Sequence, residues 1–145
     1  MSEVKVTQEQ YSRFIDGMTL KAIKIMGINA KVDEKFNAPA NVKIQEESSY
    51  SKIDDKNIKI YQKYVIEASK NDDSNAKFMI EVHYSLLYSV TIPIDDEIFK
   101  IFSKSSLLLQ TWPFLRQLAH QMTYYMNLPP LVLDVIKVQT QKSKE

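Results

Sequence analysis

The chain has 145 residues, 44% apolar and 26% charged, the size of one ordinary domain with a buried core and a composition that argues against wholesale disorder. Nineteen basic side chains against eighteen acidic ones leave a net charge of +1, which gives no pull towards nucleic acid or an anionic membrane. Two glycines and no cysteine exclude glycine-rich phosphate loops, disulfides, thiolate zinc sites and cysteine nucleophiles.

The first predicted element is a short helix. Thr7 and Gln10 have the spacing of a capping box, in which each side chain satisfies a free N–H at the helix start. Tyr11, Phe14, Ile15 and Met18 then fall at i, i+3, i+4 and i+7 as one apolar stripe, and Gly17 suits the stop.

Four stretches of strand character follow. In residues 19–33, Leu20, Ala22, Met26, Ile28, Ala30 and Val32 share one parity while Ile23 and Ile25 take the other. That pattern fits a strand covered on both faces or one bulged near Gly27. Residues 41–53 alternate weakly through Val42, Ile44 and Tyr50, and residues 57–69 place Ile58, Ile60, Tyr64, Ile66 and Ala68 on one side. The clearest strand spans 78–92, where Phe78, Ile80, Val82, Tyr84, Leu86, Tyr88, Val90 and Ile92 alternate without a break. Asn71 to Asn75 is turn chemistry that implies a hairpin, and no linker is long enough for a crossover helix, so the sheet is expected to be antiparallel.

After Pro93, Asp95 and Asp96 suit the cap of a short helix through about Lys104, and a long helix follows over roughly 107–126. Its apolar arc, about 160° wide on a helical wheel, exceeds the roughly 100° that covering one surface requires. Leu108, Leu115, Ala119, Met122 and Met126 are therefore candidates for a subunit interface as well as for packing on the sheet; the alternative is a well-buried helix of a monomer. Asn127 suits a left-handed helix end, and Pro129-Pro130 forbids further helix. Leu131, Val132, Leu133, Val135, Ile136 and Val138 read as an apolar extended tail, with 139–145 frayed. A single domain over 1–145 is expected. The N-terminus lacks the apolar core of a secretory signal, and Leu107-Leu108-Leu109 is broken by Gln110, so a cytoplasmic location without membrane insertion is the default expectation.

Two segments carry a family resemblance. Trp112-Pro113-Phe114-Leu115-Arg116, then nine residues, then Met126-Asn127-Leu128-Pro129-Pro130-Leu131 is similar to the aromatic-Pro-aromatic-x-Arg helix start and Pro-Pro-Leu exit of the SecB protein-export chaperone family. Ala76 to Val82 resembles that family's strand ending in Glu-Val. A proline is tolerated in a first helical turn, which places the start of the long helix near Trp112 with 105–111 as a kinked lead-in. The resemblance implies an α+β fold: a four-stranded antiparallel sheet, a short N-terminal helix, and a short plus a long C-terminal helix packed on one face. It also implies a dimer of dimers, an ATP-independent holdase that binds unfolded polypeptide in apolar grooves, and partners such as the SecA motor or an antitoxin. Met79 and Glu81 match positions with which the family docks its motor, whereas Lys21 and Lys24 stand where acidic residues are usual.

The candidate client-binding residues are Tyr84, Leu86, Tyr88, Trp112, Tyr124 and Leu131, because aromatic and aliphatic side chains offer large contact area at low entropic cost. For any one of them the plain alternative is a place in the core. No metal site is expected: His83 has the parity opposite to its strand's apolar set, and positions 116, 117, 123 and 124 around His120 are Arg, Gln, Thr and Tyr. Asp95-Asp96-Glu97 is better read as helix capping than as an acid/base pair, and Ser103, Ser105 and Ser106 have no nearby histidine. No cofactor and no enzymatic activity are expected. The alternative function is a structural or regulatory protein–protein interaction module with one defined partner.

Overall fold

The computed structural model describes residues 6–36, 41–69, 77–129 and 131. The element order is α1 (Gln8–Asp16), β1 (Thr19–Val32), β2 (Asn41–Lys52), β3 (Asn57–Ser69), β4 (Lys77–Ser89), α2 (Asp96–Ser103) and α3 (Ser106–Tyr125). All strand pairs are antiparallel and the sheet order is β1-β4-β3-β2. The expected hairpin joins β3 to β4, although residues 71–75 themselves lie outside the described residues.

The caps form as their chemistry dictates. Thr7 Oγ1 accepts from Gln10 N–H at 3.0 Å while Gln10 Oε1 accepts from Thr7 N–H at 2.8 Å. Asp95 caps α2 by accepting from Ile98 N–H at 2.8 Å. Gly17 ends α1, and a Cβ there would lie 1.8 Å from Thr91 Oγ1, so close approach rather than backbone freedom demands the glycine.

Residues directly opposite in an antiparallel pair point to the same side, so the register sorts the sheet into two faces. One face carries Ile58, Ile60, Tyr64, Ile66 and Ala68 of β3 with Phe78, Ile80, Val82, Tyr84, Leu86 and Tyr88 of β4, all buried. The helices cover this face: Phe102 packs edge-on to Tyr88, Trp112 to Tyr64, and Phe114 lies tilted on Tyr84. Phe14 of α1 joins through Phe102. Each such side chain taken out of water contributes about 1.5–3 kcal/mol, so this helix–sheet layer is the core.

In β1 the register shifts at Lys21 and again at Met26. Each shift flips the side-chain phase, and together they set Leu20, Ile23, Ile25, Ile28, Ala30 and Val32 opposite the core residues of β4. The mixed parity of the sequence is thus a doubly bulged strand. Ala22 faces the other side, opposite Leu87, and Met26 sits in a bulge, so neither keeps the company its parity suggests.

Two other expectations change. The long helix does not begin near Trp112: α3 runs from Ser106 to Tyr125 with Pro113 in its interior, because Leu107 and Thr111 are already packed in the core. The β4 ladder stops at Ser89, where Val90 N–H turns to the Lys56 carbonyl and Thr91 N–H to that of Gly17. Asn127 does take the left-handed conformation, with φ 59°.

Candidate functional site

The core face leaves a margin uncovered. β1 and β2 are the sheet edges, and they differ in kind. β2 exposes Lys43, Glu46, Glu47 and Lys52 along with several serines, the charged dressing that protects an edge. β1 exposes Leu20, Ile25, Met26, Ile28 and Val32 between Lys21, Lys24 and Lys31. Beside it, α3 exposes Leu109, Phe114, Tyr124 and Tyr125, the last two at 71% and 67%. Between them lies a cleft of about 370 Å³ lined by Ile23, Lys24, Ile25, Tyr84, Phe114, Leu118 and two glutamines, Gln117 and Gln121. Arg116 is the one Lys, Arg, Asp or Glu in the whole of α3, so little charge opposes association there.

Other apolar groups are half-buried against the core: Leu108, Trp112, Met126, Leu128 and Leu131, together with Ile44 and Tyr50 of β2 and Phe99 of α2. Tyr50 and Phe99 have ring centroids 4.7 Å apart, and Tyr50 Oη donates to Asp96 at 2.6 Å. That bond follows burial as a cause of the Tyr50 hydroxyl's rise to about 12. Leu131 is anchored by its N–H to Thr123 Oγ1 at 3.0 Å.

The expected client residues separate. Tyr84, Leu86 and Tyr88 are buried within the chain as part of its core, and Tyr84 also lines the cleft and a hollow beside Tyr61 and His83. Burial raises the Tyr84 hydroxyl to about 12, and that oxygen and Gln62 Oε1, on directly opposed residues, have no hydrogen-bond partner among the described residues. Trp112 and Leu131 are half-buried against the core. Tyr124 stands apart on the exposed side of α3. Of the expected interface residues, Leu115 and Ala119 are fully buried in their own chain, while Leu108, Met122 and Met126 are half-buried. The uncovered groups that sequence reasoning missed are Ile25, Ile28, Leu109, Phe114 and Tyr125; the two-parity pattern of β1 and the charge-poor α3 were the available signals.

Met79 and Glu81 lie together on the helix-free face of the sheet. Glu81 accepts from His83 Nε2 at 2.8 Å and pairs with Lys63 at 3.9 Å, which in turn reaches Glu47 at 3.9 Å. The His83 hydrogen bond, then the Lys63 charge, holds the Glu81 carboxyl below its ordinary value. Among the described residues no group of three or more His, Cys, Asp or Glu side chains is arranged to hold a metal, and no helix is long and apolar enough to cross a membrane.

No protein-family model matches the chain, and neither does any curated protein. Among solved structures, the Mycobacterium tuberculosis Rv1957 SecB-like chaperone, in complex with a ChAD peptide from the Rv1956 HigA1 antitoxin, superposes with a TM-score of 0.76. The match covers 90% of this chain and 98% of that one, at 14% identity. The fold is SecB-like. A protein of unknown function from Streptococcus agalactiae also matches, with a TM-score of 0.45, 12% identity, and coverage of 81% of this chain and 96% of that one. The four-stranded antiparallel sheet and its three helices agree with the fold that the sequence resemblance implies.

Proposed function

We propose that this protein is a cytoplasmic, nucleotide-independent holdase that works as an oligomer and binds extended apolar segments of unfolded polypeptide. One observation carries the oligomeric part of the reading: of the twelve most exposed large apolar side chains among the described residues, nine lie on β1 and α3. That concentration is a surface built for polypeptide rather than the scatter of a monomer. The fold likeness to a SecB-like chaperone seen with an antitoxin peptide supports the same reading.

The two flanks of α3 divide the work. A 14-residue edge strand with greasy side chains and unpaired backbone groups is an aggregation hazard unless permanently covered. A transient client cannot supply that cover, so β1 and the exposed side of α3, Tyr124 included, serve a second copy. Clients occupy the half-buried apolar surface with Trp112 and Leu131, which tolerates being empty. The test is suppression of aggregation of several unrelated unfolded proteins at stoichiometric chaperone without nucleotide. Protection is expected for all of them. Protection of none removes the holdase reading, and copurification of one stoichiometric partner in its place identifies a module dedicated to that partner.

A further inference from the structure

The chain turns back on α3 after the helix ends. Leu128 N–H donates to the Thr123 carbonyl and Leu131 N–H to Thr123 Oγ1, both at 3.0 Å. Eight residues after Thr123 the backbone is level with it again, having reversed through Asn127 in its left-handed conformation. Leu128 and Leu131 are half-buried against the core, so the reversed chain is held on the molecule. The sequence runs on as Val132-Leu133-Asp134-Val135-Ile136-Lys137-Val138, outside the described residues. Five of those seven side chains are apolar, and Asp134 is the one acid.

The helix offers one cation in return. Arg116 is half-buried and has no ion-pair partner among the described residues. A charge held partly out of water without a counter-ion is unfavourable. At about 100° per residue, Trp112, Arg116 and Thr123 fall within about 40° of one another on α3. A chain leaving Thr123 towards the start of the helix therefore passes Arg116 and then Trp112. The spacings agree. Along the helix, Arg116 lies about 10.5 Å and Trp112 about 16.5 Å from Thr123. An extended chain at about 3.3 Å per residue covers about 10 Å from Leu131 to Asp134 and about 16.5 Å to Ile136. Asp134 and Ile136 also share one side of an extended chain. The acid comes level with the cation, and the isoleucine with the indole.

We infer that the chain's own segment 132–138 docks along this side of α3, the Asp134 carboxylate on the Arg116 guanidinium and Ile136 against Trp112. The contact itself stands on charge complementarity, length and the direction of the chain at Leu131. Its role rests on the holdase reading: the segment covers the surface around Trp112 and Leu131 that clients use, so a client has to displace it. An apolar stretch with a single acid is a built-in placeholder for the extended segments it keeps out. Apparent client affinity is then reduced in proportion to the fraction of open chains.

Trp112 is the only tryptophan, so acrylamide quenching of its fluorescence reads the cover directly in the whole chain. Breaking one partly exposed ion pair shifts the closed-to-open ratio by about threefold. D134K and R116E are each expected to raise the quenching constant, and D134N, the mildest change to the fold, to raise it less. The double variant R116E with D134K restores the pair with its charges exchanged and is expected to return to the wild-type value. A fluorescein-labelled peptide alternating Leu and Ser is expected to bind the single variants up to about threefold more tightly, and the double variant as it binds wild type. Wild-type quenching in the folded single variants overturns the inference, as does a double variant that fails to recover. Recovery on mixing R116E chains with D134K chains places the segment on a second copy and overturns it too. If the quenching pattern holds while no unfolded protein is protected from aggregation, the contact stands and only the holdase reading falls.

Discussion

Replacing Ile28 by lysine tests whether β1 is covered by a second copy. Ile28 pairs with Val82 on the helix side of the sheet, is 43% exposed, and does not line the cleft. Full burial of an isoleucine contributes about 2 kcal/mol, so covering the exposed part yields about 1 kcal/mol per copy. A two-fold interface counts each residue twice, giving about 2 kcal/mol, or roughly 30-fold in the dissociation constant. Desolvating two ammonium groups adds to that, so 30-fold is a floor. The fold survives, because the lysine stem lies along apolar surface while its head reaches water. Sedimentation across a dilution series reads the effect, with Tyr61→Lys as the control: Tyr61 is comparably exposed but faces the helix-free side. A wild-type protein that sediments as a single chain refutes the reasoning. So does a folded Ile28→Lys protein whose association lies within about threefold of wild type.

Three further outcomes follow from the same coordinates. Thr111→Val leaves the buried Tyr64 hydroxyl without the partner it meets at 2.6 Å and is expected to cost about 1–3 kcal/mol in urea unfolding; Tyr64→Phe in that background recovers part of the loss. Gly17→Ala drives a methyl against Thr91 and is expected to cost about 1–3 kcal/mol, with Thr91→Ala relieving most of it. Tyr64 and Tyr84 are raised from 10.0 to about 12, each chiefly by burial. The folded state holds those protons more tightly than the unfolded state, so their contribution is complete below pH 10 and is lost as pH rises through 12. Spectrophotometric titration is expected to show these phenols ionising above pH 10, together with loss of structure.

The parts of the fold that the sequence made legible are those where one rule acts alone. In β4 every second residue from Phe78 to Tyr88 meets the core, so alternation alone identifies the strand and its buried side. The Thr7–Gln10 box and the Asp95 cap were readable because capping is local. β1 resisted because its two bulges cancel in phase at the ends while inverting the middle, a pattern that simple parity cannot represent. Its place beside β4 rather than β2 was hidden too, since strand order depends on long-range pairing. The candidate site suffered from a related limit. Periodicity says which way Tyr84, Leu86 and Leu115 point, but coverage depends on what lies opposite, and the helix layer sits directly upon them. The side chains left over, such as Phe114 and Ile28, are those just beyond the helix's reach.

Pro113 sits inside α3 rather than at its start. Lacking an amide hydrogen, it leaves the Leu109 carbonyl without its usual helical donor, and both residues are on the solvent side of α3. A helix loosened along its outer surface bends with its convex side to water. The 20 residues of α3 touch Tyr88 through Gln110 near one end and hold Leu131 through Thr123 near the other, so freedom to bend matters to a helix seated on strands that rotate progressively beneath it. A straight rod laid over a twisted surface lifts at one end, and a proline on the outer side of a helix eases the bend that avoids it.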